Sequence, residues 1–571
     1  MKNYPLTEMV TMGTAHIPPA SSTVETFGIL CIILLSFLFI ISSWTRSQQQ
    51  QVSYSVPYTL PILRSTIPFV FDGFNFLCNA IRQFPYASIL RVSIIVGDVY
   101  LVRSPKAVAE IFHNPHLTIT RSWSLVLRQC FGMKRKAVAS YIADTSGTRT
   151  KPIPGSSPQP QDRISFMTHE NLNEGLLKSG LGPATARFEA LLRESLETMD
   201  IGHDWAYMPD ITEFIQDHHG SALIRTLFGE GLLAQHPHFI RDLWTFDEGV
   251  MNLARRIPRI FLLNTYRVRN KLLAVVKKWQ QAAVTSEDLS NSVLGPCADQ
   301  VWGTRMMKER YHILLNATGQ DESSVASTNL ALIWASVTTV VPSSTIMTIE
   351  TFRSQALLNS LRSSLSHLSL SPSIKELESI PLLLSTYAET LRFGIHIHVP
   401  RSAPYHDLYI QDASIPKDHL ILINTRLAHT DQEVWDAHNG KRPLDQFHAR
   451  RFLVDPNDQS SGPTRKKRVN PTEKAGEGVY FSSDGLEGSW IPYGGGQNAC
   501  PGRLLAKRIM LLSTAFLVNN FEIQLLADEK AMNYVSPRFG FGVSRPKGLV
   551  PFRIRRRNHI CAPECAYYID T

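Results

Sequence analysis

Cysteine, charge and repetition are all scarce in this chain of 571 residues. Seven cysteines, an odd number spread from Cys31 to Cys565, exclude the disulfide framework of a small secreted scaffold. Glycine (32) and proline (34) are too few for collagen-like or proline-rich classes. No stretch repeats at a fixed period, so a solenoid or propeller is excluded as well. Charged residues make up 19% against 43% hydrophobic, which rules out a disordered chain and leaves ample material for a buried core. The net charge of +9 is thinly spread, without the concentrated basic stripe of a nucleic-acid binder. A membrane surface or an acidic protein partner fits it better, and no nucleic acid is expected.

What is present begins with Phe27 to Trp44, FGILCIILLSFLFIISSW, 18 residues without a charge. As a helix this run spans roughly 27 Å, the hydrocarbon thickness of a thin bilayer such as the endoplasmic reticulum. The preceding 26 residues are long and include Glu8 and Glu25, and no small-residue cleavage signal follows, so an anchor is expected rather than a cleaved leader. The predicted organisation is an N-terminal segment (1–26), a transmembrane anchor (27–44), a linker punctuated by Pro57, Pro61 and Pro68 (45–69), and one large catalytic domain (70–571).

Within that domain the pattern is mainly α with a minor β region. Helices are expected over Ala186–Thr198, Tyr266–Gln281, Leu330–Phe352 and Ile380–Phe393, and strands over His406–Gln411 and Leu420–Asn424. The Ser/Pro/Gly-rich stretches Ala143–Asp162 and Asp455–Gly478, the latter carrying Arg465-Lys-Lys-Arg468, read as surface excursions. Cys561 and Cys565 read as a surface thiol pair, since two ligands do not make a metal site.

The sharpest local feature is Ile491–Lys507, IPYGGGQNACPGRLLAK. Three glycines, a lone cysteine and Pro-Gly before a helical run put Cys500 in a tight loop at a helix start, where N–H groups and the dipole favour a thiolate. One thiolate cannot build a zinc site, which takes four ligands, but a haem iron needs only one protein donor on its proximal face. No Gly-Lys-Ser/Thr follows, so this is not a phosphate loop.

Tyr493-x-x-Gly496-x-x-x-Cys500-x-Gly502 resembles the haem loop of the cytochrome P450 family. The family usually has Phe at Tyr493 and Arg or His at Asn498, an asparagine that can hydrogen-bond a haem propionate without neutralising it. No Trp-x-x-x-Arg occurs, although many members hold a propionate with one. Glu389-x-x-Arg392, Pro400-Arg401, Ile415-Pro-Lys417, His429, Arg451-Phe452 and Cys500 follow in the family's order. The likeness implies one P450 fold over roughly residues 57–555, haem b ligated through Cys500, and Tyr493, Gly496 and Gly502 packed about the cofactor. It also implies a bracing Glu389–Arg392–Arg451 network.

Leu330–Phe352 is apolar nearly all round and should cross the distal haem face, with Pro342 opening it by removing the hydrogen bond to the Thr338 carbonyl. Most members carry an acid and a threonine here for proton delivery. This chain has Thr338 and Thr339 without the acid, and Ala335-Ser336 followed by Pro342 is similar to the branch of sterol 7α-hydroxylases and prostacyclin synthase.

The resemblance implies a membrane-bound monooxygenase using O2 and electrons from an NADPH-dependent reductase. Its body would lie on the cytosolic side of the endoplasmic reticulum membrane, in contact with lipid. Arg503, Lys507 and Arg508 are candidates for the reductase contact, and Ile395–Val399 with Phe539–Val543 for an apolar cavity. The expected substrate is a terpenoid, steroid or polyketide, in secondary-metabolite biosynthesis. Two alternatives stay open: a haem-thiolate isomerase or dehydratase needing no external electrons, and a membrane-anchored binding protein without haem.

Overall fold

Seven helices set the frame: α1 (Leu181–Glu197), α2 (Ile211–Phe228), α3 (Phe239–Ala254), α4 (Leu263–Ser290), α5 (Glu322–Arg353), α6 (Pro381–Gly394) and α7 (Arg503–Asn520). The computed structural model describes residues 54–58, 63–290, 301–369, 372–411, 413–465 and 478–558. The predicted anchor 27–44, Lys466 to Arg468 and the Cys561/Cys565 pair lie outside them. Among the described residues one helix, α5, is long and apolar enough to cross a membrane, and it is mostly buried in the body.

Helix α5 starts where Asp321 caps it, its carboxylate accepting the Ser324 N–H at 2.8 Å, with Glu322 favourable in the first turn. It packs against α2, α3, α4, α6 and α7, while α7 also lies along α1. Being surrounded explains why no polar stripe was visible in its sequence: a helix with neighbours on every side has no solvent face. Pro381 opens α6 at its first position, where the missing N–H removes no hydrogen bond.

A six-stranded sheet lies beside the helices: β1 (Tyr54–Ser55), β2 (Ile89–Ile94), β3 (Gly97–Val102), β4 (Ile395–Arg401), β5 (Leu420–Asn424) and β6 (Phe541–Val543). Its order is β1-β2-β3-β5-β4-β6, with β1/β2 and β3/β5 parallel and the other pairs antiparallel. The period of two splits its side chains. Tyr100, Val102, Ile421 and Ile423 join one small core, and Val99, Leu101 and Leu422 join another on the opposite face.

Three of the predicted helices are present and longer, the fourth, Ile380–Phe393, is shifted by one residue, the predicted strand His406–Gln411 is shortened to Leu408–Ile410, and Leu420–Asn424 is a strand over the predicted residues. The stretch Ala143–Asp162 runs mostly over the surface, as read, but is pinned at a few points. Asp144, Ser146 and Ile153 are buried, because the Asp144 carboxylate accepts from the Ser146 N–H and hydroxyl and from the Ser165 N–H at 2.7 Å. A buried acid satisfied by three donors organises a segment whose composition alone reads as solvent-facing.

Candidate active site

Residues Tyr493 to Cys500 form a turn in which Gly494 and Gly496 take φ of +67° and +65°. A side chain at Gly496 would also strike the Phe112 carbonyl oxygen, 1.9 Å from where its Cβ would sit. This glycine is therefore required by the protein's own backbone, in the left-handed region that β-carbons disfavour. The Cys500 N–H donates to the Tyr493 carbonyl at 3.0 Å, closing the turn. Helix α7 begins at Arg503 with Gly502 as its cap, two residues later than Pro501 suggested.

Cys500 is enclosed by protein, which pushes its thiol above the ordinary value against the opposing pull of the Gly502 N–H and Arg503. Its side chain is nevertheless exposed, so the sulfur faces room inside the body. A Cβ at Gly502 would make only an ordinary contact, with the Cys500 Sγ at 3.7 Å, so the bare glycine leaves that flank of the sulfur free. Tyr493 Oη lies 2.9 Å from Tyr387 Oη on α6, and burial raises the pKa of both phenols. The extra oxygen that distinguishes Tyr493 from Phe thus has a buried partner.

Behind the loop, Arg392 grips Glu389 with Nε and Nη2 at 2.7 and 2.9 Å, and Arg451 Nε lies 3.1 Å from both carboxylate oxygens. All three side chains are fully buried. Burial alone would raise the Glu389 pKa, but Arg392 and Arg451 overcome it and hold the carboxyl below its usual value. Spare guanidinium hydrogens reach the carbonyls of His429, Leu444, Arg442 and Pro443.

His429 carries this bracing to the loop. Burial holds it neutral, and its Nδ1 lies 3.0 Å from the Arg392 carbonyl while Nε2 accepts the Ile491 N–H at 3.1 Å. Only the Nδ1–H tautomer satisfies both bonds.

Arg401 is the residue sequence reasoning passed over as a site, although Pro400-Arg401 marked its place. It is buried, and its Nη2 and Nη1 donate to the carbonyls of Gly495 at 3.0 Å and Pro400 at 2.8 Å. No carboxylate pairs with it among the described residues, and burial pushes its pKa down to about 10. Asn498 in the same loop accepts from the Thr148 hydroxyl at 3.4 Å. A buried cation without a counter-ion, bonded to the loop that carries Cys500, fits a large ligand that brings its own carboxylates, as haem does with its propionates.

On α5 a stripe at Leu332, Ala335, Ser336, Thr339 and Val340 is partly accessible, while the turns before and after it are buried. Its spacing is one helix face, so the middle of this core helix borders internal room. Thr339 is on that face. Thr338 is not: it is fully buried and its hydroxyl donates to the Trp334 carbonyl at 2.9 Å. The helix stays continuous through Pro342.

His396 and His398 are likewise occupied, with Phe393 O at 3.1 Å from the one and Asn424 Nδ2 at 3.0 Å from the other. Burial lowers their pKa values to about 3 and about 4.

The cytochrome P450 family model matches residues 169–552. Among characterised relatives, cytochrome P450 monooxygenase efuG of Hormonema carpetanum is 28% identical over 88% of this chain and 89% of its own length. Cytochrome P450 monooxygenase fsoE of Humicola fuscoatra is 29% identical over 88% of this chain and 87% of its own. Mouse cytochrome P450 7B1 follows at 21% identity over 92% and 94%. In fold the chain resembles retinoic acid-bound cyanobacterial CYP120A1, with a TM-score of 0.61 at 17% identity, covering 89% of this chain and 99% of that one. With a family match over most of its length and monooxygenases among its relatives, this chain belongs to the cytochrome P450 family, as a monooxygenase whose haem iron is held by a cysteine.

Proposed function

We propose that this P450 oxidises a hydrophobic small molecule such as a terpenoid, steroid or polyketide, in secondary-metabolite biosynthesis, on the endoplasmic reticulum membrane. Cys500 is the iron ligand, and the observation that carries this is its accessibility in a loop to which the counter-ion-free Arg401 is bonded. Arg401, with Asn498, would hold the propionates. Glu389, Arg392 and Arg451 brace the loop through His429. Bound haem supplies O2 activation. The chain's own residues orient the substrate, keep water out and deliver protons, for which Thr339, on the accessible face, is better placed than Thr338.

Membrane association is supported by a group of exposed apolar side chains. Ile67 and Phe71 on the helix Thr66–Phe71 are exposed, as are Ile260, Phe261 and Leu263 just before and at the start of α4. The Arg255 guanidinium, 5.9 Å from the Phe71 ring centroid, joins the two segments. Apolar tips flanked by Arg255, Arg256 and Arg259 suit an interface with lipid headgroups. With 27–44 as a single-pass anchor, the body lies on the cytosolic side. Reductase docking is best supported at Arg503, since Lys507 is 3.0 Å from Glu378 and Arg508 donates to Thr185.

The test is the carbon-monoxide difference spectrum of the reduced wild type and of Cys500→Ala, followed by product analysis with candidate terpenoids, steroids and polyketides. The thiolate band should vanish in the variant, and products should require both NADPH and reductase. A band that survives Cys500→Ala, or conversion without reductase, overturns the reading.

A further inference from the structure

Pro342 has no N–H, so the Thr338 carbonyl has no donor four residues ahead in α5. Hydroxyls along this part of the helix, on Ser336, Thr338, Thr339 and Ser343, each donate back to the carbonyl four residues earlier, and none of these bonds serves Thr338 O. Its donor comes from far along the chain: Arg538 Nη2, at 3.3 Å.

Arg538 is buried and held by Asp247, a buried acid on α3 that pairs with Arg538 Nη1 and Arg545 Nη2. The same carboxylate accepts the Trp334 Nε1–H at 2.7 Å, one turn before Thr338. Two points of α5, Trp334 and the Thr338 carbonyl, are thus tied through one carboxylate–guanidinium pair to α3 and to the turn before β6. The fit is tight, because a Cβ at Gly542 would lie 2.8 Å from the Arg538 Cζ. Between the two tied points sit Ala335 and Ser336, and directly after them Thr339, all on the accessible stripe.

We propose that Arg538 is a positioning residue of the distal helix, standing in for the N–H that Pro342 lacks and so fixing the turn that presents Thr339. Asp247 sets the guanidinium, and α3 thereby bears on the geometry of that turn. A charge-assisted donor from outside replaces a helix's own hydrogen bond and makes the opened turn stiff rather than loose. The proposal rests on α5 being the distal helix, and one arm of its test does not.

Arg538→Met, with Asp247 still paired to Arg545 and Trp334, is compared in the wild-type and Pro342→Ala backgrounds. Alanine at 342 returns an N–H to the Thr338 carbonyl. Two quantities are read on the haem-loaded full chain: amide hydrogen exchange of the segment 334–343, and the fraction of NADPH electrons recovered in product. The carbon-monoxide band serves as the check on the cysteine side.

Arg538→Met alone should speed exchange in that segment and lower the recovered fraction by about tenfold, with the thiolate band kept. In Pro342→Ala the same substitution should change exchange little and restore most of the recovery. Additive effects in the two backgrounds, or unchanged exchange in Arg538→Met, would overturn the proposal. If Arg538→Met does not fold, the double variant must; failure of both also overturns it, because the arginine would then serve Asp247 and not the carbonyl. Exchange that responds while product recovery does not keeps the tie to Thr338 and rejects α5 as the distal helix.

Discussion

Arg392 and Arg401 stand on either side of one helix–strand junction, both almost wholly buried, and yet their surroundings are opposite. Arg392 is matched by the Glu389 carboxylate, which it shares with Arg451. Arg401 has carbonyl oxygens and the Phe112 ring, 5.5 Å from its guanidinium, but no carboxylate among the described residues. A buried charge is tolerated where its partner belongs to the chain, and where the chain supplies none it marks a place for an anion from elsewhere. The contrast separates a cation that builds the fold from one that waits on a ligand.

Glu389→Gln strikes the first kind hardest. It leaves two buried guanidiniums facing a neutral amide and should destabilise the protein by about 3–5 kcal/mol in urea unfolding, with or without haem. Arg401→Met should do the reverse in the apoprotein, leaving its stability level or slightly higher, while haem transfer to a scavenger becomes at least about tenfold easier. Equal losses in apo and haem-loaded forms of Arg401→Met would erase the distinction.

Acid sharpens it further, because His396 and His398 lie between the two arginines with pKa values pushed down to about 3 and about 4. Below the ordinary histidine value of 6.5 the unfolded chain takes up protons that the folded one refuses, so stability should fall as pH drops from 6.5 toward 4. His398→Gln should flatten that slope in urea midpoints measured across the window. Glu389, with its depressed pKa, adds its own loss only lower, as pH falls from 4.5 through its folded value. The smallest effect is expected on α5: both threonine hydroxyls bond back along the helix, but Thr338 is fully buried off the accessible stripe, so Thr338→Val should keep electron recovery within about twofold, whereas Thr339→Val, on the stripe, should lower it.

Much of this was legible from spacing. The Cys500 loop, the Glu389–Arg392 pair and the apolar part of α5 follow from local pattern, because turn residues, i,i+3 pairs and long apolar runs act over short distances, whereas Arg451, 62 residues from Glu389, came from the family resemblance. Thr338 and Thr339 could not be separated, since adjacent residues on a helix differ by about 100° and the facing direction is set by neighbours. The significance of Arg401 lies in a partner that is missing, which no string of residues displays. Arg538 was hidden because its acceptor, the Thr338 carbonyl, is 200 residues away in sequence. Asp144 shows the same limit, turning the start of a polar stretch inward through donors it gathers in space.

The first described strand has a mechanical corollary. Tyr54 already pairs with Leu90 in the sheet, so only residues 45–53 separate the body from the end of the proposed anchor. Nine residues reach at most about 30 Å when fully drawn out. With 27–44 in the bilayer, as proposed, such a leash would be shorter than the body it restrains, which would hold the oxidase against the lipid and turn its search for a reductase on that membrane into diffusion over a plane instead of through a volume.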